Sequence, residues 1–230
     1  MGVVSSAGQT PGSVVITIDR TILATAKLQT MELSYGKGDT VYGRGSSAQF
    51  VYVVDEGALC RLKQLSGDRK SILQFLLPND GFGYEIGRVH RDTVRALTRA
   101  KILAVERKAL FEATTGDARL STLLFTAATR AIAIAENESF VLRDGTAAEK
   151  IALFLLEMDT RLSTRGEIDL PMQKGHIAAY LGLSIETVAR TLRAFRREKI
   201  IEFRRRSHRI SICDKQGLLK LAPDTSEDFH

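Results

Sequence analysis

Nine basic side chains fall between Ser184 and Ile210: Arg190, Arg193, Arg196, Arg197, Lys199, Arg204, Arg205, Arg206 and Arg209. Three acids, Glu186, Glu198 and Glu202, stand against them, so the stretch carries nine minus three, a net +6. The whole chain has 33 basic and 27 acidic residues, so everything outside the stretch balances at 24 against 24. Guanidinium and ammonium groups gathered in this way suit a polyanion. Charge alone does not separate a nucleic acid from an anionic membrane; the spacing of the apolar residues between the charges goes further.

Gln173 to Leu181 reads as a short helix with Ile177, Ala178 and Leu181 on one side. Gly182-Leu183 follows as a tight turn, glycine being able to take the positive φ that ends a helix. Ser184 then caps a second helix, with Thr187 at the reciprocal position. The expected buried face of that helix is Val188, Leu192 and Phe195, with Ile185 at its start; the other face shows Glu186, Ala189, Arg190, Arg193 and Arg197. A short helix, a glycine turn and a second helix with a basic outer face describe a helix-turn-helix, whose second helix enters the major groove. Beyond it, Ile200, Ile201 and Phe203, then Ile210 and Ile212, form two β-prone arms around Arg204-Arg205-Arg206-Ser207-His208. That pattern predicts a hairpin wing with a basic tip aimed at phosphates.

The elements that must hold this apparatus are legible upstream. At 230 residues and 25.4 kDa the chain is long enough for two modest domains with real cores. An apolar fraction of 44% and a charged fraction of 26% exclude wholesale disorder. From about Leu33 to Ala104 short apolar runs (Phe50–Val54, Leu59–Leu62, Ile72–Leu77, Ile102–Val105) alternate with turn clusters such as Tyr35-Gly-Lys-Gly-Asp39, Ser66-Gly-Asp68 and Pro78-Asn-Asp-Gly81. This texture predicts an antiparallel sandwich or roll. After Glu106 it changes: Leu120, Leu124, Ala127, Ala131 and Ile134 step by four, three, four and three on a segment from Asp117 to Arg143 free of Gly and Pro. That is an a/d stripe, expected to pair with a second copy of the chain, the alternative being a long helix packed against its own domain. Asp144-Gly145 stops it, and Thr146 with Glu149 has the spacing of a capping box for the next helix. The expected layout is 1–116, 117–143 and 144–230.

Other chemistries find no support. Cys60 and Cys213 alone build neither a disulfide framework nor a cysteine metal site, and His90, His176, His208 and His230 lack metal-ligand spacing. Gly36-x-Gly38 and Gly43-x-Gly45 read as turns rather than a phosphate loop, and no Ser or Cys sits in a nucleophile-elbow context. No run approaches the roughly 18 apolar residues of a membrane span, and the N-terminus lacks a secretory pattern. A cytoplasmic non-enzyme without metal or cofactor and with no membrane partner is expected.

The segment IAAYLGLSIETVARTLRAF resembles the recognition segment of the CRP/FNR superfamily of bacterial transcription factors, especially its FixK/FNR-like branch. LPNDGFGYEIG is similar to the same family's sensor domain, and the resemblance extends over about residues 28 to 222. It implies an α+β chain: an N-terminal antiparallel β-roll of cyclic-nucleotide-binding type, a long dimerisation helix and a C-terminal winged helix-turn-helix. It further implies a homodimeric regulator, an activator that contacts RNA polymerase, on a palindromic double-stranded DNA operator with TTG-like half-sites. Glu186 would accept from a cytosine amino group and Arg190 would bond guanine O6 and N7, pairings worth about 1–3 kcal/mol of discrimination each. Ala189 stands where the family has serine and would touch a thymine methyl; Ile185 stands where the cyclic-AMP-responsive branch has a base-contacting arginine. Lys174, Ser184, Thr187 and Arg193 match positions that contact backbone or flanking bases, and the loop Arg161–Glu167 is the candidate polymerase contact.

The same resemblance points to an effector pocket at Gly83, Glu85, Asp92 and Thr93. The family's cyclic-nucleotide branch holds phosphate with an Arg-Ser pair, whose place here reads Asp92-Thr93. An aspartate repels a cyclic phosphate, so cyclic AMP is disfavoured and the effector is left open; FixK-like members need no small ligand. His90 with Arg91 or Arg95 offers a different anion pocket, although surface placement is the simpler expectation, and no motif supports haem ligation by His90 or His176. Clustered N-terminal cysteines of the oxygen-sensing kind are absent from the sequence, and Cys60 reads as a packed small hydrophobe. An alternative from another class is a ligand-gated module acting through a protein partner, with the basic tail as a docking or membrane surface.

Overall fold

The computed structural model describes residues 16–17, 28–64, 70–85, 87–129, 144–164, 166–204 and 209–222. The chain divides into two compact units, Val14–Ala133 and one that holds Ile134–His230. The dividing point falls within 130–143, outside the described residues, as do Ala131, Ile134 and the wing tip at 205–208.

The first unit is built from β1 (Ile16–Thr17), β2 (Met31–Tyr35), β3 (Thr40–Tyr42), β4 (Phe50–Glu56), β5 (Leu59–Gln64), β6 (Lys70–Leu76), β7 (Asp80–Phe82), β8 (Thr93–Ala96) and β9 (Ala100–Glu106). They make two antiparallel sheets, ordered β1-β7-β4-β9-β2 and β3-β8-β5-β6, which is the expected β-roll. The central strand β4 is apolar without alternation because both of its faces are covered. Tyr52 and Val54 join Leu59, Leu76, Val94 and Ile102 in the core between the sheets. Val51 and Val53 point the other way, to Leu103, Val105 and Leu110. The β4–β9 register keeps the two sets apart, pairing Val51 with Val105, Val53 with Leu103 and Val54 with Ile102. At the β4–β5 turn Gly57 has φ +84°, and a Cβ there would lie 2.2 Å from the Arg99 carbonyl oxygen, so no side chain fits.

Two helices follow. The first, α1 (Arg107–Gly116), was not expected from the sequence, where helix begins only at Asp117. Asp117 is instead the joint: it is extended, and its Oδ1 accepts from the backbone N–H groups of Arg119 and Leu120 at 2.8 and 3.2 Å. This caps α2, described over 118–129. The stripe assigned to a partner chain needs correction at its start. Leu120 is 6% exposed, and Leu124 packs against Val51, Val53, Leu103 and Val105 of its own sheet. Leu123 and Phe125 are the outward apolar residues, 42% and 73% exposed.

The second unit opens with α3 (Ala147–Leu162). The capping box is present: Thr146 N–H donates to Glu149 Oε2 at 2.6 Å and Glu149 N–H to Thr146 Oγ1 at 3.3 Å. There follow β10 (Ser163–Thr164), β11 (Glu167–Asp169), α4 (Lys174–Leu181), α5 (Ile185–Arg197), β12 (Ile201–Phe203), β13 (Arg209–Ile212) and α6 (Lys215–Leu221). The wing hairpin β12–β13 is thus part of a four-stranded sheet ordered β10-β11-β13-β12. Ile151, Leu155 and Met158 of α3 are fully buried, as are Ile168, Val188, Ile201 and Leu218. That core seats α4 and α5.

Candidate nucleic-acid interface

Local sequence fixes the turn between α4 and α5. Gly182 takes φ +65°, and its N–H donates to the Ala178 carbonyl, ending α4 in the left-handed conformation. Ser184 Oγ accepts from Thr187 N–H at 3.1 Å and starts α5. The far end of α5 closes in a Schellman motif: Lys199 N–H donates to Arg196 O and Ile200 N–H to Phe195 O, at 3.0 and 2.9 Å. Lys199 holds φ +58° there, where glycine is usual, and both Ile200 and Phe195 are buried.

These two ends fix the length of α5, and its inner ridge fixes its rotation. Val188, Leu192 and Phe195 are at most 3% exposed. Glu186, Arg190, Arg193 and Arg197 are exposed, while Thr187 and Ala189 are half-buried. Ile185 departs from the expected buried face. It is 52% exposed, in the first turn of α5, with Cδ1 3.6 Å from where a Cβ on Gly175 would stand. On the outer face, Arg190 Nη2 lies 3.5 Å from Thr187 Oγ1, and Arg193 Nε donates to the Ala189 carbonyl at 3.2 Å. Its own backbone N–H and the Ser184 hydroxyl hold the Glu186 carboxyl below the usual carboxylate range. Glu186 is therefore an acceptor-only group at neutral pH, and Arg190, one helical turn on, is donor-only. Such a pair can meet a donor and two acceptors on a groove edge.

Around α5, Lys174 is exposed at the start of α4, with Nζ 5.9 Å from the Phe203 ring centre. His176 is part of that helix start, its Nδ1 accepting from Gln173 N–H at 3.3 Å. Arg196 Nε meets Glu202 Oε1 at 3.0 Å, tying the last turn of α5 to the wing. Arg204 is paired with Glu167; Arg205 and Arg206 lie outside the described residues.

The β-roll interior is occupied by its own side chains. Gly83 has φ +86° and lies against Tyr52, whose ring would be 2.9 Å from a Cβ there. Asp92 faces Arg61 at 3.8 Å, and Thr93 Oγ1 accepts from Arg44 N–H at 3.2 Å. The turn that carries Glu85 is held from below by the Arg107 guanidinium, which donates to the carbonyls of Glu85, Ala48 and Gly87. His90 is not a surface residue as expected. It is 1% exposed and stacked on Tyr42, ring centres 3.5 Å apart and 7° from parallel, with Glu85 Oε1 3.4 Å from Nδ1. Cys60 is 3% exposed, and burial pushes its thiol up to about 11, as befits a packed core residue. Among the described residues no three His, Cys, Asp or Glu side chains gather as a metal site, and no helix is long and apolar enough to cross a membrane.

Burial holds the His90 pKa below the ordinary histidine value, against the opposing pull of Glu85. As pH falls through about 6.5, the unfolded chain binds a proton that the native chain resists, so stability falls on acidification. His90→Phe, which keeps a ring to stack on Tyr42, is expected to flatten the stability loss between about pH 7 and 5. Urea unfolding across that range checks it, and an unchanged pH dependence would refute the assignment.

Residues 149–221 match the Crp-like helix-turn-helix domain family, and residues 32–116 match the cyclic nucleotide-binding domain family. The nitrogen fixation regulation protein FixK of Azorhizobium caulinodans is 32% identical over 193 residues, 81% of this chain and 77% of that protein. The transcriptional activator protein FnrA of Stutzerimonas stutzeri is 30% identical over 192 residues, 81% of this chain and 78% of that protein. The solved structure of FixK2 from Bradyrhizobium japonicum is 36% identical and superposes with a TM-score of 0.80, covering 85% of this chain and 98% of that one. With a β-roll followed by a winged helix-turn-helix, and relatives of this closeness, the chain belongs to the CRP/FNR superfamily of DNA-binding transcription regulators, in its FixK/FNR-like branch, and is not an enzyme.

Proposed function

We propose that the chain acts in the cytoplasm as a homodimer that sets two α5 helices into successive major grooves of an inverted repeat, roughly 34 Å apart. Glu186 and Arg190 read a TTG-like half-site, and Ile185 and Ala189 offer apolar contacts to bases beside it. Ser184, Thr187, Arg193, Lys174 and the wing tip grip phosphates and set the register. The observation that carries this reading is the division of α5, whose inner ridge is buried while an ionised Glu186 and Arg190 stand one turn apart outside.

The proposed dimer contact differs from the sequence expectation at its start, with Leu123 in place of Leu120 and Leu124. Leu123 is outward and Ala127 half-buried on α2, and steps of four and three continue that line to Ala131 and Ile134. Bound beside a promoter, the dimer recruits RNA polymerase, with the segment Arg161–Glu167, which runs from the end of α3 through β10 into β11, as the contact. It needs no cyclic AMP: Asp92, already paired with Arg61, occupies the place of a phosphate-binding pair.

Selection of bound fragments from random duplexes, with and without cyclic AMP, tests the reading. Inverted repeats with TTG-like half-sites, the same in both arms, are expected. Indifference to duplex DNA together with tight binding of the nucleotide would favour a ligand-gated module acting on a protein partner.

A further inference from the structure

The neck of the wing contains a charge arrangement that base readout does not use. Strand β11 lies between β10 and β13, pairing Glu167 with Ser211 and Asp169 with Arg209. From there the Glu167 carboxylate reaches the two arginines that flank the tip. Its Oε1 is paired with Arg204 Nη2, the last described residue before the tip, and its Oε2 lies 3.8 Å from Arg209 Nη1, the first after it. Asp169 takes the other side of Arg209, Oδ2 to Nε at 3.3 Å. The Arg204 N–H donates to the Arg209 carbonyl at 3.2 Å, the last rung before the tip. Two guanidinium groups and two carboxylates thus close the neck with no net charge, and Glu167 is only 20% exposed.

We infer that Glu167 is the positioning residue of the wing: it clamps Arg204 to Arg209 and takes Arg204 out of phosphate contact. This rests on the reading of the chain as a wing-using DNA binder. A phosphate that took Arg204 would have to displace a carboxylate of similar charge and leave it four-fifths buried with its more distant partner. The Arg204 side chain is 68% exposed, so geometry rather than burial holds the pair. Exchanging one anion for another still gains little, because the counterions released from DNA are offset by the protein ion pair that is broken. Salt dependence therefore separates Arg204 from an arginine that does contact phosphate.

The test uses the full chain, with dissociation constants measured on an inverted-repeat duplex and on an unrelated one over a series of salt concentrations. Arg205→Ala is expected to lower the slope of log K against log salt by about 0.9 for each phosphate it ceases to neutralise. Glu167→Gln and Arg204→Ala are expected to leave that slope unchanged while weakening both duplexes several-fold and equally. The double variant is expected to be no weaker than either single one, since both break the same clamp. The inference is overturned if Arg204→Ala lowers the slope as Arg205→Ala does, or if Glu167→Gln tightens binding, because the carboxylate would then be a rival of the phosphate. It is equally overturned if neither variant changes affinity. Thermal unfolding of each variant guards against loss of the fold, and should Glu167→Gln unfold, the slope for Arg204→Ala still decides. Failure of the unaltered chain to bind any duplex would strike the functional reading instead.

Discussion

Arg190→Ala is expected to abolish discrimination at one base pair of each half-site while leaving the fold intact. The side chain is exposed, and its approach to Thr187 Oγ1 is long at 3.5 Å. Its removal therefore costs the folded chain little. A bidentate arginine–guanine pair discriminates by about 1–3 kcal/mol, so the preference for guanine over another base should fall by about 5- to 150-fold in each half-site. Competition between an operator and its single-base variants measures this. The contrasting substitution, Arg205→Ala, should weaken all duplexes alike, because a phosphate contact carries no sequence information. Unchanged discrimination in the Arg190 variant would remove the base-reading role from this residue.

Phe195→Ala is expected to have the largest effect on stability. The ring is 3% exposed on the inner ridge of α5, and the residue's carbonyl accepts the Ile200 N–H that closes the Schellman motif. Emptying such a site costs about 3–5 kcal/mol in forfeited burial and residual cavity. That is a large part of what holds a unit of this size together. Urea unfolding should show the loss directly. DNA binding should fail with it, since Glu186 and Arg190 are aimed only while the ridge is seated. A variant that unfolds normally would mean that α5 is held by packing other than this.

The helix-turn-helix was legible because each of its signals is local. Gly182, Ser184 and the spacing of Val188, Leu192 and Phe195 all act within one or two turns of helix. Strands β4, β5, β6 and β9 were legible for a similar reason, as apolar runs between turn residues. What escaped depends on partners distant in sequence. Strands β10 and β11 are two and three residues long and largely polar, too short for alternation to show. Helix α1 buries only Leu110, so it has no stripe to read. The periodicity at Leu120 and Leu124 was real, yet spacing does not say which apolar surface claims a face: Leu120 is buried within the chain and Leu124 packs on its own sheet. His90 sits in a polar stretch of sequence between β7 and β8, and its ring stacks on Tyr42 of β3, far off in the sequence. Ile185 looked like the first residue of a buried ridge, but the first turn of α5 leaves it at the surface. The pairing of Arg204 with Glu167 was not legible because the carboxylate lies far upstream in the sequence.

The two-sided character of α5 has an evolutionary consequence. Substitutions at exposed positions away from caps and ion pairs usually change stability by no more than about 0.5 kcal/mol. Ile185 and Arg190 can therefore be exchanged while Val188, Leu192 and Phe195 stay fixed, and a descendant of this chain can acquire a new vocabulary of promoters without passing through an unstable ancestor. Divergence between duplicated copies should accumulate first along that outer line.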